Sequence, residues 1–99
     1  MLKRDDILDY LKKHKDFFRD KFNIEKIGIF GSYARNEQTE KSDIDIIIEM
    51  PRGTDEIFEK KELLRNMLKE QFHKKIDICR ERSIKPLFKD LILKDTIYV

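Results

Sequence analysis

Two aspartates, Asp43 and Asp45, interrupt the approach to an apolar run in "SDIDIIIEM". Shortly before them a Gly-Ser pair, Gly31 and Ser32, stops an earlier run in "IEKIGIFGS". Carboxylates at the edge of a strand are costly to bury unless they are paired or bound to a cation. Strand alternation places Asp43, Asp45 and Ile47 on one face and Ile44, Ile46 and Ile48 on the other. Asp77 is the acidic residue among the apolar positions of a later run, "KKIDICR". If those two strands are neighbours, the three carboxylates gather at one end of a sheet. Like charges so close raise a pKa or demand a cation. Hard oxygen ligands favour Mg²⁺ or Mn²⁺ over zinc, and Mg²⁺ takes one or two protein carboxylates and completes its shell with phosphate oxygens and water. Three carboxylates suit two such ions ~3.5–4 Å apart. Gly31 lets the backbone approach closely, while the Ser32 hydroxyl and nearby amides can donate to phosphate oxygens. Phosphate chemistry is what this set of residues can do.

Each part also has a plainer meaning. A Gly-Ser between apolar runs is commonly a turn. The aspartates of "SDID" can be solvated acids at a strand start, and Asp77 can be an exposed residue paired with Lys75. Arg35 is suited equally to a phosphate or to an ion pair with Glu37 or Glu40. His14 and His73 lie in charged helical stretches and read as solvated rather than as ligands. Glu49, on the face of Asp45, is the reserve carboxylate if Asp77 is an ordinary strand residue. It is the joint spacing of the Gly-Ser pair and the carboxylates that favours a site.

The elements that must position these residues follow from periodicity. Ile7, Leu8, Leu11, Phe18 and Phe22 mark an amphipathic helix over about residues 5 to 21, with Asp5 as its N-cap. A strand with Ile27 and Ile29 on one face ends at Gly31. "YARNEQTEK" is polar with room for one helical turn, and "SDIDIIIEM" is the second strand. Residues 55 to 72 return to helical spacing, with Ile57, Leu64, Leu68 and Phe72 on one stripe widened by Leu63 and Met67. A third strand with Ile76 and Ile78 facing one way and Asp77 the other comes next. From Ser83 a last helix follows, with Pro86 in its first turn, and "TIYV" is an optional final strand. The order α-β-β-α-β-α, with that optional strand, predicts an α+β, α/β-like domain with helices on a small mixed sheet.

Residues 1–99 are read as one domain. Charged residues make up 42% of the chain, yet 22 Lys+Arg against 20 Asp+Glu leave only +2, so charge alone argues neither for nor against nucleic acid. The single cysteine, Cys79, has no partner for an internal disulfide and is expected to be a reduced core thiol. No stretch approaches the ~18 apolar residues of a membrane span, and the N-terminus has no apolar signal core, so a soluble cytoplasmic protein is expected.

"GSYARNEQTEKSDIDI" resembles the signature of the polymerase-β-like nucleotidyltransferase superfamily: Gly-Ser, a spacer, Asp-x-Asp, and a third carboxylate on a later strand. The match is best to its smallest branch, the minimal nucleotidyltransferase (MNT) proteins of bacteria and archaea. Clear motifs cover about residues 24 to 80. The resemblance implies a mixed sheet flanked by helices, with Gly31 and Ser32 on the triphosphate, Asp43 and Asp45 binding Mg²⁺, and Asp77 as the third carboxylate that helps bind metal and activates the acceptor hydroxyl. Arg35 matches the arginine after the Gly-Ser turn. Asn36 stands where many members have Gly, and Asn tolerates left-handed geometry better than most residues. The resemblance further implies a Mg²⁺-dependent antitoxin, of the type VII-like kind, that transfers AMP from ATP to a tyrosine of a HEPN ribonuclease toxin. No membrane or direct nucleic-acid contact is implied. Two alternatives remain: an antitoxin that neutralises its toxin by binding alone, and a nucleotidyltransferase acting on a small molecule. Retention of the Gly-Ser pair and the carboxylates favours the enzyme, and the lack of a second domain disfavours the small-molecule acceptor.

Overall fold

A computed structural model describes residues 1–99. The chain runs α1 (Arg4–Lys13), α2 (Lys15–Phe22), β1 (Lys26–Phe30), α3 (Gly31–Ala34), β2 (Ile44–Glu49), α4 (Ile57–Phe72), β3 (Ile76–Arg80), a 3₁₀ turn (Glu81–Ser83), α5 (Pro86–Asp95) and β4 (Ile97–Tyr98). The four strands form one mixed sheet in the order β3-β2-β1-β4. β1 is antiparallel to β2 and to β4, whereas β2 and β3 run parallel. A parallel pair cannot be joined by a hairpin. The amphipathic α4 supplies the crossover, and the expected α+β architecture is the one found.

Alternation along the strands decides which side of the sheet becomes the core. Ile27, Ile29, Ile44, Ile46, Ile48, Ile76 and Ile78 face one way and pack with Ile7, Leu11, Phe18, Phe22, Leu64 and Leu68 of α1, α2 and α4. Each such side chain contributes about 1.5–3 kcal/mol on leaving water. α4 buries Leu64 and Leu68, and Ile57, Met67 and Phe72 pack partly against the core. Leu63, expected to widen that stripe, is instead 55% exposed.

The long first helix is divided. It breaks at His14, whose backbone leaves helical geometry at φ −103° and ψ 11°. The His14 Nδ1 lies 2.9 Å from the Tyr10 carbonyl oxygen and its ring packs on that of Tyr10, so this histidine is partly buried and engaged rather than solvated. The helix begins one residue before Asp5, and it is Asp6 whose carboxylate accepts the Lys3 backbone N–H, at 2.9 Å. The last helix starts at Pro86 rather than Ser83, because the preceding residues close into the 3₁₀ turn. Gly28 is required where β4 crosses: a Cβ there would lie 2.3 Å from the Ile97 carbonyl oxygen. No helix is long and apolar enough to cross a membrane.

The opposite face of the sheet carries Ile47, fully buried yet apart from the main core, and Glu49, 6% exposed. Glu49 is not a reserve site residue. Its carboxylate accepts the backbone N–H groups of Met50 and Arg82, each at 2.9 Å, and pairs with Arg80 at 3.2 Å and Arg82 at 3.0 Å. Burial pushes its pKa up, but the hydrogen bonds from Met50 and Arg82 outweigh burial and hold it below the ordinary 4.5. A depressed carboxylate stabilises the fold above its unfolded-state pKa, and that contribution is lost as pH falls through the folded value. Glu49→Gln is therefore expected to lower stability at pH 7 by about 1.5–3 kcal/mol, the scale of hydrogen bonds to a charged group. Urea unfolding measured from pH 7 down to about 3 should show the wild type losing more stability than the variant as the solution becomes acid.

Candidate active site

The register of the sheet brings the sequence-predicted acids together. Asp45 on β2 stands directly beside Asp77 on the parallel neighbour β3. Phe30, the last residue of β1, stands opposite Asp45 on the other side. The chain then turns at Gly31 into the single helical turn α3. Gly31 adopts φ +74°, and a Cβ at this position would lie 2.2 Å from Asp45 Oδ2. Glycine is needed twice over, for the left-handed backbone and for the carboxylate packed against it. Asn36 closes the turn at φ +59°, the left-handed geometry expected of it.

Asp43 lies just outside the strand, one residue before β2 begins. Lys75 pairs with Asp43, Nζ to Oδ2 at 3.8 Å, rather than with Asp77. Asp77 is exposed, whereas Asp45 is partly buried. The Asp45 pKa is pushed from the ordinary 3.8 up to about 6, by burial first and then by the charges of Asp77 and Asp43, with Arg35 opposing. No three carboxylate, imidazole or thiol side chains are gathered tightly enough to enclose an ion by themselves. The donor set still fits a hard divalent cation. It is all oxygen, it suffers like-charge repulsion that a cation would relieve, and Mg²⁺ needs only one or two carboxylates when phosphate and water complete its shell.

Arg35 stands at the end of the α3 turn. Its Nε donates to Glu37 at 2.8 Å and its Nη1 approaches Asp95 Oδ2 at 3.5 Å. Of the two sequence readings for Arg35, the ion pair with Glu37 is present, and half-exposed pairs of this kind are weak enough to exchange for a phosphate. Cys79 is only partly buried, on the face of Asp77 rather than in the main core, and burial raises its pKa and keeps it a thiol. Two hollows flank the carboxylates. One, of about 880 Å³, lies beyond Asp77 and is lined largely by polar and basic side chains including Arg65, Lys69, His73, Lys74 and Lys75. The other, of about 450 Å³, lies between the Gly31 turn and α5 and includes Arg35, Leu91 and Asp95. Sequence reasoning missed the contribution of α5, because the meeting of residues 31–35 with residues 91–95 has no local signal.

Comparison with known proteins agrees with this architecture. Residues 11–99 match the nucleotidyltransferase domain family. The chain is 44% identical over 97 residues to a candidate protein adenylyltransferase of Methanocaldococcus jannaschii, with 95% of each chain covered. It is 31% identical over 101 residues to the protein adenylyltransferase MntA of Thermococcus cleftensis, covering 100% of this chain and 98% of that one. Among solved structures, a candidate minimal nucleotidyltransferase has the same fold with a TM-score of 0.78 at 21% identity, covering 97% of this chain and 95% of the other. A chain from a toxin–antitoxin structure with AMP-PNP superposes with a TM-score of 0.67 at 22% identity, covering 98% of this chain and 72% of that chain.

The contact between Gly31 and Asp45 makes a prediction that needs no knowledge of the reaction. Gly31→Ala and Gly53→Ala both place a side chain on left-handed backbone, at φ +74° and +81°, but Gly53 has nothing within 4 Å. Gly53→Ala should cost only the strain of that geometry, about 1–2 kcal/mol, and Gly31→Ala clearly more. In thermal unfolding, Asp45→Ala should recover the excess cost of Gly31→Ala and should by itself raise Tm in metal-free solution, since it removes a partly buried carboxylate from two like charges.

Proposed function

The chain belongs to the nucleotidyltransferase family, and from that premise we propose that it is a protein adenylyltransferase acting as an antitoxin, which moves AMP from ATP to a hydroxyl of its partner toxin. The observation that carries this reading is the direct pairing of Asp45 with Asp77 beside the Gly31 turn. Supporting the protein acceptor are curated relatives of matching length bearing the name protein adenylyltransferase, and a toxin–antitoxin structure sharing the fold. The acceptor assigned here is a tyrosine of a HEPN ribonuclease toxin.

In this reading Gly31, Ser32 and Arg35 hold the triphosphate, with the close backbone of the turn and the Ser32 hydroxyl donating to phosphate oxygens. Arg35 exchanges its exposed ion pair with Glu37 for phosphate, which a guanidinium grips with a fork of N–H donors. Asp43, Asp45 and Asp77 would hold two Mg²⁺ ions, which when bound neutralise developing charge on the phosphate oxygens and lower the pKa of the attacking hydroxyl. Asp77, exposed at the outer strand, takes the proton of the acceptor hydroxyl as its oxygen attacks the α-phosphorus. The bond to the β-phosphate breaks opposite the incoming oxygen, and pyrophosphate leaves. The open hollow beyond Asp77 gives the acceptor its approach. The chain's own work is positional: it aligns hydroxyl and phosphorus, which is where much of the rate of such transfers arises.

Incubation with labelled ATP, Mg²⁺ and the toxin should label the toxin on tyrosine. Asp43→Ala and Asp45→Ala should each abolish transfer without unfolding the protein. Label on the toxin at near wild-type rate in either variant would remove this mechanism. Excess chelator should stop the reaction, Mn²⁺ should restore it, and Ca²⁺ should bind with little turnover because its larger, looser shell misplaces the reacting oxygens.

Asp77 separates chemistry from binding. Asp77→Asn keeps the shape and removes the charge, so single-turnover transfer should fall ~10²-fold or more, the scale of a lost general base, while affinity for ATP weakens modestly. Equal transfer by variant and wild type would make Asp77 an ordinary strand residue.

A further inference from the structure

The adenylyltransferase reading gives the triphosphate a place and leaves the nucleoside without one. The hollow of about 450 Å³ between β1, the α3 turn and α5 adjoins the phosphate-holding residues themselves, because Gly31 and Arg35 belong to its lining together with Phe30, Leu91, Ile92 and Asp95. Small-molecule sites occupy about 300–1,000 Å³ and combine apolar walls with a few placed polar groups. This hollow has that character. Phe30, Leu91 and Ile92 supply the apolar wall, and Asp95 supplies a carboxylate close to Arg35.

Two features of α5 lack a folding explanation. Leu91, an apolar side chain, is 68% exposed where it lines the hollow. Asp95 spends its Oδ2 on a long, half-exposed approach of 3.5 Å to Arg35 and leaves its second oxygen without a side-chain partner. A nucleobase answers both. Its flat faces are apolar and its edge carries hydrogen-bonding groups.

We propose that this hollow receives the nucleobase of the nucleotide, with Leu91 and Ile92 against its face and Asp95 accepting a hydrogen from the exocyclic amino group of adenine. The proposal rests on the adenylyltransferase reading and adds the basis of its nucleotide choice. An ionised carboxylate accepts hydrogen bonds and donates none. It therefore suits the amino group of adenine and opposes the carbonyl oxygen that guanine presents at the same ring position. A site built to bond one group discriminates strongly against an analogue that leaves it unpaired.

Binding to the full chain in the presence of Mg²⁺, measured by calorimetry with ATP, GTP and inorganic tripolyphosphate, tests this without any acceptor. Wild type should bind ATP more tightly than GTP, and both nucleotides more tightly than tripolyphosphate. Leu91→Ser, an exposed position where folding is not at risk, should weaken ATP about tenfold or more, as for lost apolar contact in a pocket, and leave tripolyphosphate unchanged. Asp95→Asn presents an amide that can donate as well as accept, so the preference for ATP over GTP should shrink about tenfold with tripolyphosphate again unchanged. An unaltered ATP to GTP ratio in Asp95→Asn would overturn the proposal, as would parallel weakening of ATP and tripolyphosphate, which would mean that Asp95 acts only through Arg35. Wild type binding tripolyphosphate as tightly as ATP sinks the base site alone. Wild type binding none of the three sinks the adenylyltransferase reading together with it.

Discussion

Repulsion among carboxylates at one end of two neighbouring strands is the constraint around which this small fold is arranged. Asp45 and Asp77 are held side by side by the parallel pairing of β2 and β3, and Asp43 lies two residues before Asp45. The sheet distributes the cost unevenly. Asp77 stays in water and Asp43 has Lys75 nearby, so Asp45, partly covered by the Gly31 turn, bears most of the penalty, with its pKa pushed up to about 6. A sequence selected for stability alone would place an apolar residue there. An acid kept at that position is one whose cost the fold bears without compensating it.

Such a strained end requires the rest of the sheet to be firm. On one face, seven isoleucines from three strands meet the helices in a continuous core. On the other, Ile47 is fully buried and is followed by Glu49, bound to Arg80, Arg82 and two backbone amides. The neighbouring Glu81 accepts the Tyr98 hydroxyl at 2.6 Å and pairs with Lys26 at 3.2 Å, tying β4 and the 3₁₀ turn to β1. Burial, followed by that bond to Glu81, raises the Tyr98 pKa and keeps the hydroxyl a donor. Acidic residues at the two ends of the sheet thus have opposite fates. Glu49 and Glu81, at one end, are neutralised by partners within the chain, whereas the aspartates at the other end largely are not. The uncompensated charge is thus concentrated at one end of the sheet.

Small size shapes the same economy. One helical turn, α3, leads from β1 past the carboxylates, and one short helix, α5, walls the adjoining hollow. Only Gly31 allows the turn to press against Asp45. Replacing it would force either the turn or the carboxylate to move, so the geometry of the whole end of the sheet rests on an absent side chain.

Much of this was legible in the sequence. Period-two runs gave the three main strands, helical stripes gave the helices, and alternation put Asp43, Asp45 and Asp77 opposite the isoleucines, because those patterns are local consequences of backbone geometry. The conformation of Gly31 and Asn36 was also readable, since few residues accept left-handed backbone. What the tertiary structure decided were matters of partnership. Whether β2 and β3 were neighbours, and in which register, depended on the crossover through α4. Glu49 looked like Asp45 in the alternation pattern, and only the arrival of Arg80 and Arg82 from β3 and the turn after it made it a structural acid. The single helix over residues 5 to 21 became two at His14, where a side chain engages the turn before it. Arg35 had several equally good partners in sequence, and folding selected Glu37 and added Asp95 from sixty residues away. Sequence fixes the chemical type and facing of each residue because these follow from neighbours along the chain. Which charges are compensated, and which are left uncompensated, follows from neighbours in space.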